Sequence, residues 1–455
     1  MTSSPHPYIR NTDEDRRAML GAMGAASVDE LFADIPSGLR IEGLELPPAL
    51  SEPELIAEMT ELAALNRVPG NSTACFLGAG AYRHYIPSTV AHVIGRSEFY
   101  TSYTPYQAEI SQGTLQTMFE LQSMTCELTA MDVASAGMYD GASALAEACL
   151  MACRVTGRAR IAVHSSVNPS YVSVVRTYAS GAGLAVEVMD APTGARPGEP
   201  RLSAQHACLA VQQPAFLGYL EDVWALGEAA HAAGALYIAA VDPISLGMLT
   251  PPGEYGADIA VSEGQSLGWP VNFGGPYLGL FACRQEYLRQ VPGRIVGRTA
   301  DMDGRTGYVL TLQTREQHIR RERATSNICT SQQLVGLAAT VYLATMGKQG
   351  LRQVAEACYH KSHYAAERIA ALPGYSLAFP DRPFFKEFAI RCPRPPAEIG
   401  APLLERGIIG GLDVSDIVEM GMLVCVTEMN SRQEIDRLVE GLADCQRIGN
   451  GLTDG

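Results

Sequence analysis

Lysine is the residue that this sequence most conspicuously lacks. Its 455 residues contain only Lys348, Lys361 and Lys386, so that 31 of its 34 basic residues are arginine. Arginine cannot replace lysine where an amine must form an imine with an aldehyde, because a guanidinium does not form that bond. The first 347 residues therefore contain no side chain that could hold an aldehyde cofactor covalently.

Other absences exclude further classes of protein. The formal net charge of −15 leaves no basic excess with which to displace counterions from nucleic acid. No apolar stretch reaches the roughly 18–20 residues that span a bilayer. The first fifteen residues include Asp13, Glu14 and Asp15 and lack the apolar segment of a signal peptide. The eleven cysteines form no Cys-x-x-Cys pair and lie mostly in apolar stretches, which is typical of free thiols. We therefore expect a cytoplasmic protein.

The composition and the order of predicted elements indicate a folded α/β protein in three parts. Hydrophobic residues make up 47% of the chain and charged residues 18%, which is enough to bury a sizeable core. We predict an N-terminal helical arm over residues 1–70 and a large α/β domain over 71–350. A small C-terminal α+β domain is predicted over 351–455, with a surface loop at 191–200 in the large domain.

The predicted large domain alternates helices with short apolar strands. The strands are expected at Arg160–His164, Leu184–Met189, Cys208–Gln212, Leu236–Val241, Asp258–Ser262 and Tyr277–Cys283. These runs lack polar alternation, which is typical of a mostly parallel sheet covered by helices on both faces. Residues 333–347 are apolar almost all round and predict a buried helix.

Three features of the large domain carry chemical meaning. Asp242 ends a predicted strand, where a carboxylate could pair with a pyridinium nitrogen or simply begin a turn before Pro243. The segment 139–143 leads into a helix, so its N–H groups and Ser143 could bind phosphate or be capped by Asp140. Gln265 follows Asp242 by 23 residues. That interval suits the aspartate and the cofactor lysine of pyridoxal-phosphate enzymes, with glutamine in place of lysine.

Longer motifs make a family resemblance specific. They are Pro7–Arg16, Phe76–Pro87, Glu98–Gln107, Val241–Gly247 and Ile319–Thr330. On these motifs the chain closely resembles the family of glycine dehydrogenase (decarboxylating) subunit 1, the α subunit of the two-chain glycine cleavage system P protein. The resemblance runs nearly end to end.

The resemblance implies a pyridoxal-phosphate-dependent transferase type I fold and an α2β2 assembly. The pyridoxal 5'-phosphate would be held by the partner β subunit (subunit 2), and none would be bound covalently to this chain. The complex would decarboxylate glycine and transfer the aminomethyl group to the lipoyl arm of the H protein, with the T and L proteins acting indirectly. Ser143, Asn168 and Asp242 would then belong to a vestigial cofactor site, with Asn168 standing where the family pattern predicts histidine.

The resemblance also indicates which residues could contact the substrate or the partner's site. These residues lie in non-periodic segments rich in aromatic and polar side chains. The candidates are Arg83, Tyr100, Tyr103, Tyr106, Gln107, Thr325, Ser326 and Asn327. Ordinary interface packing is an alternative role for each of them.

Three alternatives to this interpretation remain open at this stage. A self-sufficient pyridoxal-phosphate enzyme would have to use one of the three late lysines, although none follows the strand after Asp242. A scaffold subunit would stabilise its partner without touching the substrate. Cys358, His360 and His363 lie close enough in sequence to suggest zinc, but the apolar stripe of their helix predicts Cys358 in the core. We therefore predict no metal site.

Overall fold

A computed structural model describes residues 8–41, 43–70, 73–101, 105–189 and 201–450, without the side chains of 446–450. The predicted loop at 191–200 and the candidate Tyr103 therefore lie outside the described residues. The chain divides into two compact units, Met1–Val68 and Pro69–Gly455. The further division of the second unit at residue 350 stays a prediction.

The first unit contains two helices with capping boxes. The helix α1 spans Asp13–Met23, is capped by Thr12 and ends at Gly24 in the left-handed conformation. The helix α2 spans Glu52–Ala64 and is capped by Ser51. Between them Ser27 caps a short 3-10 helix, Val28–Phe32, as the sequence predicts. No residue of these three helices is buried.

The second unit contains the remaining elements. Its helices are α3 (Ser88–Ile94), α4 (Ser97–Tyr100), α5 (Gln112–Thr129), α6 (Gly141–Thr156), α7 (Pro169–Gly181), α8 (Val223–Ala232), α9 (Gln317–Arg320), α10 (Gln333–Ala370), α11 (Pro396–Glu405) and α12 (Arg432–Asn450). Its strands are β1 (Ala74–Cys75), β2 (Val133–Ala134), β3 (Arg160–His164), β4 (Ala185–Met189), β5 (His206–Gln213), β6 (Leu236–Val241), β7 (Ile259–Glu263), β8 (Gly279–Cys283), β9 (Ile295–Ala300), β10 (Thr306–Thr311), β11 (Ser376–Leu377), β12 (Glu387–Arg391), β13 (Ile408–Ile409), β14 (Leu412–Asp413) and β15 (Gly421–Cys425).

A seven-stranded sheet forms the core of the second unit. Its order is β2-β8-β7-β6-β5-β3-β4, and the pairs from β7 to β4 are all parallel. One face packs against α6 and α7, and the other face packs against α8. The mostly parallel sheet with helices on both faces is therefore confirmed. The carboxyl ends of parallel strands meet at one edge, which is where such sheets hold their sites.

A smaller antiparallel sheet lies in the last hundred residues. Its order is β11-β12-β15-β14, and its core contains side chains of α10, α11 and α12. The helix α10 is interrupted at Gly347, whose φ of 60° is left-handed, at the point where the predicted buried helix ends. This region thus combines an antiparallel sheet with helices, as the α+β class that the sequence predicts for it requires.

The sequence interpretation missed α5 and the hairpin of β9 and β10. The helix α5 carries only six buried residues among eighteen, and its glutamines and threonines weaken the apolar period that predicts a helix. The strands β9 and β10 pair with each other outside the large sheet, and the residues of β10 are all partly exposed or exposed. All eleven cysteines are free, and most are buried as predicted.

Within the described part of the chain, no helix has both the length and the apolar character needed to cross a membrane.

Candidate functional site

The carboxylate predicted to pair with a cofactor ring pairs instead with a lysine of this chain. Asp242 directly follows β6, and its Oδ2 lies 2.6 Å from the Nζ of Lys386, which directly precedes β12 of the small sheet. Lys386 is 2% exposed. Burial is the largest single influence and acts to lower the pKa of Lys386. The attraction and hydrogen bond of Asp242, together with the nearby thiols of Cys425 and Cys358, outweigh burial, so the pKa of Lys386 is raised. An internal cation thus occupies the place that a pyridinium nitrogen would take.

The ring of Tyr82 covers this ion pair. The Nζ of Lys386 lies 3.5 Å from the ring centroid of Tyr82, a cation–π contact in a desolvated setting. The hydroxyl of Tyr82 donates to Glu387 Oε2 at 2.8 Å, and the backbone N–H of Ala79 donates to Glu387 Oε1 at 2.6 Å. Burial raises the pKa of Glu387 to about 7. These contacts fix one segment between the two sheets.

Lys386 also begins a buried chain of polar groups. Its Nζ lies 3.1 Å from His84 Nε2, while His84 Nδ1 lies 2.7 Å from Glu428 Oε2. An ammonium has only donors, so Nε2 accepts and the ring proton is on Nδ1, facing Glu428. The Cys358 thiol donates to the same carboxylate at 3.3 Å. Burial raises the pKa of the Cys358 thiol well above its usual range.

This chain of groups bears on the zinc alternative. His84, Cys358 and Glu428 offer ligand atoms that all lie within 4.8 Å of one another. A metal would require the Cys358 thiolate and would face the Lys386 ammonium, so the set fits a hydrogen-bonded network better than a metal site. The histidines of the predicted set lie elsewhere: His363 stacks on Phe384, with ring centroids 4.0 Å apart.

Gln265 lies two residues after the end of β7. Both the oxygen and the nitrogen of its side-chain amide form hydrogen bonds. Its Oε1 accepts from the backbone N–H of Tyr82 at 2.8 Å. Its Nε2 donates to the carbonyls of Tyr82 at 3.0 Å and Trp269 at 2.7 Å. The side chain is 1% exposed. Gln265 therefore joins the segment of Tyr82 to that of Trp269. These hydrogen bonds occupy its amide, which leaves no free polar group for a ligand.

The N–H groups predicted to bind phosphate are bound by carboxylates of this chain. The N–H of Gly141, at the start of α6, donates to Glu263 Oε2 at 2.8 Å. The N–H of Ser143 donates to Asp140 Oδ1 at 2.7 Å, as the capping alternative predicts. Glu263 Oε1 also accepts from the N–H groups of Gln265 and Leu278. Burial raises the pKa of Glu263 to about 7, although these backbone bonds act to lower it.

The raised pKa of Glu263 predicts how stability depends on pH. The folded state binds its proton more tightly than the unfolded state, whose pKa is near 4.5. The contribution of Glu263 to stability is therefore fully present below pH 4.5 and is lost as the pH rises through about 7. Between pH 5 and 8, Glu263→Gln should gain free energy of unfolding relative to wild type, on the order of 2–3 kcal/mol.

Urea unfolding of the two proteins at pH 5, 6, 7 and 8 measures this difference. Glu109→Gln, at an exposed position, is the matched control and should follow the wild-type curve. Parallel curves for wild type and Glu263→Gln would contradict the assignment.

The remaining space at this edge is too small for a cofactor. The cavity beside Asp242 and Glu263 has a volume of about 40 Å3 and is lined also by Asn168 and Tyr171. Asn168 caps α7, accepting from Ser170 N–H and donating to the Ala79 carbonyl. Ligand pockets occupy roughly 300–1,000 Å3. The residues of this edge therefore do not fit pyridoxal phosphate, because both its charged ends are replaced by side chains and the volume is filled.

A separate cavity is lined by one of the first group of candidate contact residues, Tyr100. It has a volume of about 260 Å3 and is lined by Tyr100, Arg294 and Ser331, among others. Tyr100 is 56% exposed, and Tyr106, at 46%, accepts a hydrogen bond from Arg294 Nη2 at 3.1 Å. Gln107 is exposed. The structure thus brings Tyr100 and Tyr106 together around one arginine that the sequence interpretation did not single out.

The second group of candidates lines a larger cavity. Thr325, Ser326 and Asn327 lie along an open groove of about 1050 Å3 that also contains Tyr139 and Glu147. Asn327 is exposed, and the other two are partly buried. Tyr100 of the first group and the three residues of the second group therefore line different cavities.

Arg83 lies apart from both cavities. It is not among the described residues that line either of them. Its Nη1 is buried, with no hydrogen-bond partner among the described residues. Its backbone carbonyl accepts from the Thr427 hydroxyl at 2.7 Å.

The sequence interpretation missed Glu263 and the role of Lys386. Glu263 stands two residues before Gln265, and an acid ending a buried strand is a signal that could have been used. Lys386 was considered only as an imine-forming residue. Its pairing with Asp242 joins residues 144 positions apart, and no local pattern predicts such a contact.

Comparison with known proteins gives a consistent result. The family profile of the glycine cleavage system P-protein matches residues 6–442. A probable glycine dehydrogenase (decarboxylating) subunit 1 from Thermomicrobium roseum is 52% identical over 453 residues, which cover 98% of this chain and 99% of the relative.

Two solved structures bear on the fold. A crystal structure of glycine decarboxylase (P-protein) of the glycine cleavage system, in inhibitor-bound form, is 43% identical with a TM-score of 0.91, covering 98% of this chain and 100% of that one. Sphingosine-1-phosphate lyase from Burkholderia pseudomallei is 16% identical with a TM-score of 0.64, covering 91% and 94%. The second likeness concerns the fold alone. The expected pyridoxal-phosphate type I fold is confirmed.

Proposed function

Because this chain belongs to the glycine cleavage system P-protein family, we propose that it is subunit 1 of a two-chain glycine dehydrogenase (decarboxylating). The subunit 1 name of its relatives supports a second chain. The complex decarboxylates glycine and passes the aminomethyl group to the lipoyl arm of the H protein. Its assembly is α2β2, it acts indirectly with the T and L proteins, and it is located in the cytoplasm.

The pyridoxal phosphate of this enzyme is held by the β subunit. The observation that carries this proposal is the ion pair of Asp242 with Lys386, at 2.6 Å, where the cofactor ring would otherwise pair. The side chain of Glu263, the last residue of β7, supports the proposal as well. It binds the N–H group of Gly141 at the start of α6, where a carboxylate would repel a phosphate. The cavity of about 40 Å3 leaves no room for the cofactor.

The rival use of a late lysine has little support. Lys348 is exposed, and the Nζ of Lys361 donates to the Glu428 carbonyl. Lys386 reaches the pocket, but its amine is protonated and bound to a carboxylate, whereas imine formation needs a free amine. All three lysines are thus poorly suited to forming an imine with the aldehyde of pyridoxal phosphate.

This chain contributes to the active site of its partner through exposed polar and aromatic groups. Tyr100, Tyr106 and Gln107 are exposed and therefore accessible to a second subunit. Thr325, Ser326 and Asn327 line an open groove that could accept a partner segment. The proposed roles are to cover the cofactor site against water and to lend hydrogen bonds across the interface. Tyr103 lies outside the described residues, so its role is proposed from the sequence alone.

Borohydride reduction tests where the cofactor binds. The full chain is incubated with pyridoxal phosphate, reduced with borohydride and digested, and the lysine-containing peptides are weighed by mass spectrometry. We expect no reduced imine on Lys348, Lys361 or Lys386, and no absorbance band of an imine. The two-chain complex, treated in the same way, is the positive control and should carry the adduct on the partner. A stoichiometric adduct on this chain would overturn the proposal.

A further inference from the structure

The guanidinium of Arg294 is buried and forms no salt bridge with any residue that the structure describes. Arg294 directly precedes β9 and is 2% exposed. Its Nη2 donates to the Tyr106 hydroxyl, and its Cζ lies 5.0 Å from the centroid of that ring. Its Nε and Nη1 have no hydrogen-bond partner among the described residues. Buried N–H groups of a charged side chain strongly destabilise a folded protein when they lack an acceptor. We therefore expect a bound group with acceptor oxygens beside Arg294.

A second unpaired group lines the same cavity. The hydroxyl of Ser331 is buried and has no partner among the described residues. Arg294 and Ser331 both line the cavity of about 260 Å3, whose described lining contains no carboxylate. Gln333 and Leu334, in the first turn of α10, line it as well. That helix has no side-chain cap at its start, so its N–H groups add positive potential.

We propose that this cavity is a binding site for a small oxyanion, a phosphate or a carboxylate, held by Arg294 and Ser331. A planar guanidinium with two free N–H groups matches the oxygens of either anion. The volume equals that of roughly nine waters, at about 30 Å3 each, which is enough for one small anion and its hydration. The walls formed by Phe99, Met118 and Leu337 limit competing solvent. The site does not depend on which subunit holds pyridoxal phosphate.

Isothermal calorimetry on the full chain alone tests the proposal. Inorganic phosphate and acetate are titrated separately, at an ionic strength matched with sodium chloride. We expect saturable binding of at least one anion, and the stronger of the two identifies the class of ligand. Arg294→Gln should raise the dissociation constant by about tenfold or more, because the hydrogen bonds from the charged guanidinium to the anion are lost.

Matched variants distinguish a site from general charge. Arg298→Gln removes the same charge from an exposed position in β9, the strand that Arg294 directly precedes, and should leave the dissociation constant within about twofold. Ser331→Ala should raise the dissociation constant by a smaller factor than Arg294→Gln does. Arg294→Lys should bind the anion more tightly than Arg294→Gln but less tightly than wild type. Should Arg294→Gln fail to fold, these last two variants decide the question. No saturable binding by either anion, or equal losses in Arg294→Gln and Arg298→Gln, would overturn the proposal.

Discussion

Replacing Lys386 with methionine should destabilise the protein by about 3–5 kcal/mol, because the change leaves the Asp242 carboxylate buried and unpaired. Lys386 is 2% exposed, and its Nζ contacts Asp242, His84 and the ring of Tyr82. The substitution removes all three contacts at once, although it keeps the volume of the side chain. Urea unfolding at pH 7, followed by circular dichroism, measures the loss.

Two further variants separate the ion pair from simple packing. Lys386→Met combined with Asp242→Asn removes both charges and should recover most of the lost stability, because no unpaired charge remains. Lys348→Met, at an exposed position, should leave the urea midpoint unchanged. If Lys386→Met alone were as stable as wild type, the ion pair would have no structural role.

Opening the pocket in this way should not create a cofactor site. In Lys386→Met the Glu263 carboxylate still occupies the N–H groups at the start of α6. Gln265 still provides no amine for an imine. The borohydride assay should therefore remain negative for this variant.

Replacing Tyr100 with alanine should lower glycine decarboxylation by the two-chain complex by about thirtyfold, with the assembly intact. Tyr100 is 56% exposed beside the Arg294 cavity, so its removal should cost little folding energy. We expect Tyr100 to belong to the minority of interface residues, enriched in tyrosine, whose truncation costs about 2 kcal/mol or more, here in ordering the partner's active site. Release of labelled carbon dioxide from glycine measures the rate, and size-exclusion chromatography checks the assembly.

Trp224→Ala provides the matched control for this prediction. Trp224 is 54% exposed but lies on α8, away from both groups of candidate residues. Its replacement should leave the rate within about twofold. Equal rates for wild type and Tyr100→Ala, with the complex intact, would favour the alternative of a scaffold subunit that touches no substrate.

Much of the fold could be predicted because its signals are local. The strand Arg160–His164 and the strand Leu236–Val241 match the structure residue for residue, since continuous apolar runs are typical of buried parallel strands. The caps at Thr12 and Ser27 are local as well, because each hydroxyl accepts from the N–H group three residues later in the chain. The helix α5 was missed because its buried positions include Gln122, Thr125 and Thr129, which are polar.

The candidate site was predictable only in part. The positions of Asp242 and Gln265 at the ends of β6 and β7 follow from the strand order, so their proximity could be expected. The partners that they have in the structure could not. Lys386 and Tyr82 reach the same edge from the small sheet and from the segment before α3.

The sequence alone determined what this protein lacks: no lysine stands in the segment just after β7, where Gln265 provides an amide instead. That conclusion required no coordinates, because imine chemistry depends on the residue type. Only the tertiary structure decided what fills the space. Lys386 and Glu263 place an ammonium and a carboxyl group where the sequence interpretation expects the two charged ends of a cofactor. Such pairs form because burial makes an unpaired charge costly, and burial is a property of the whole fold.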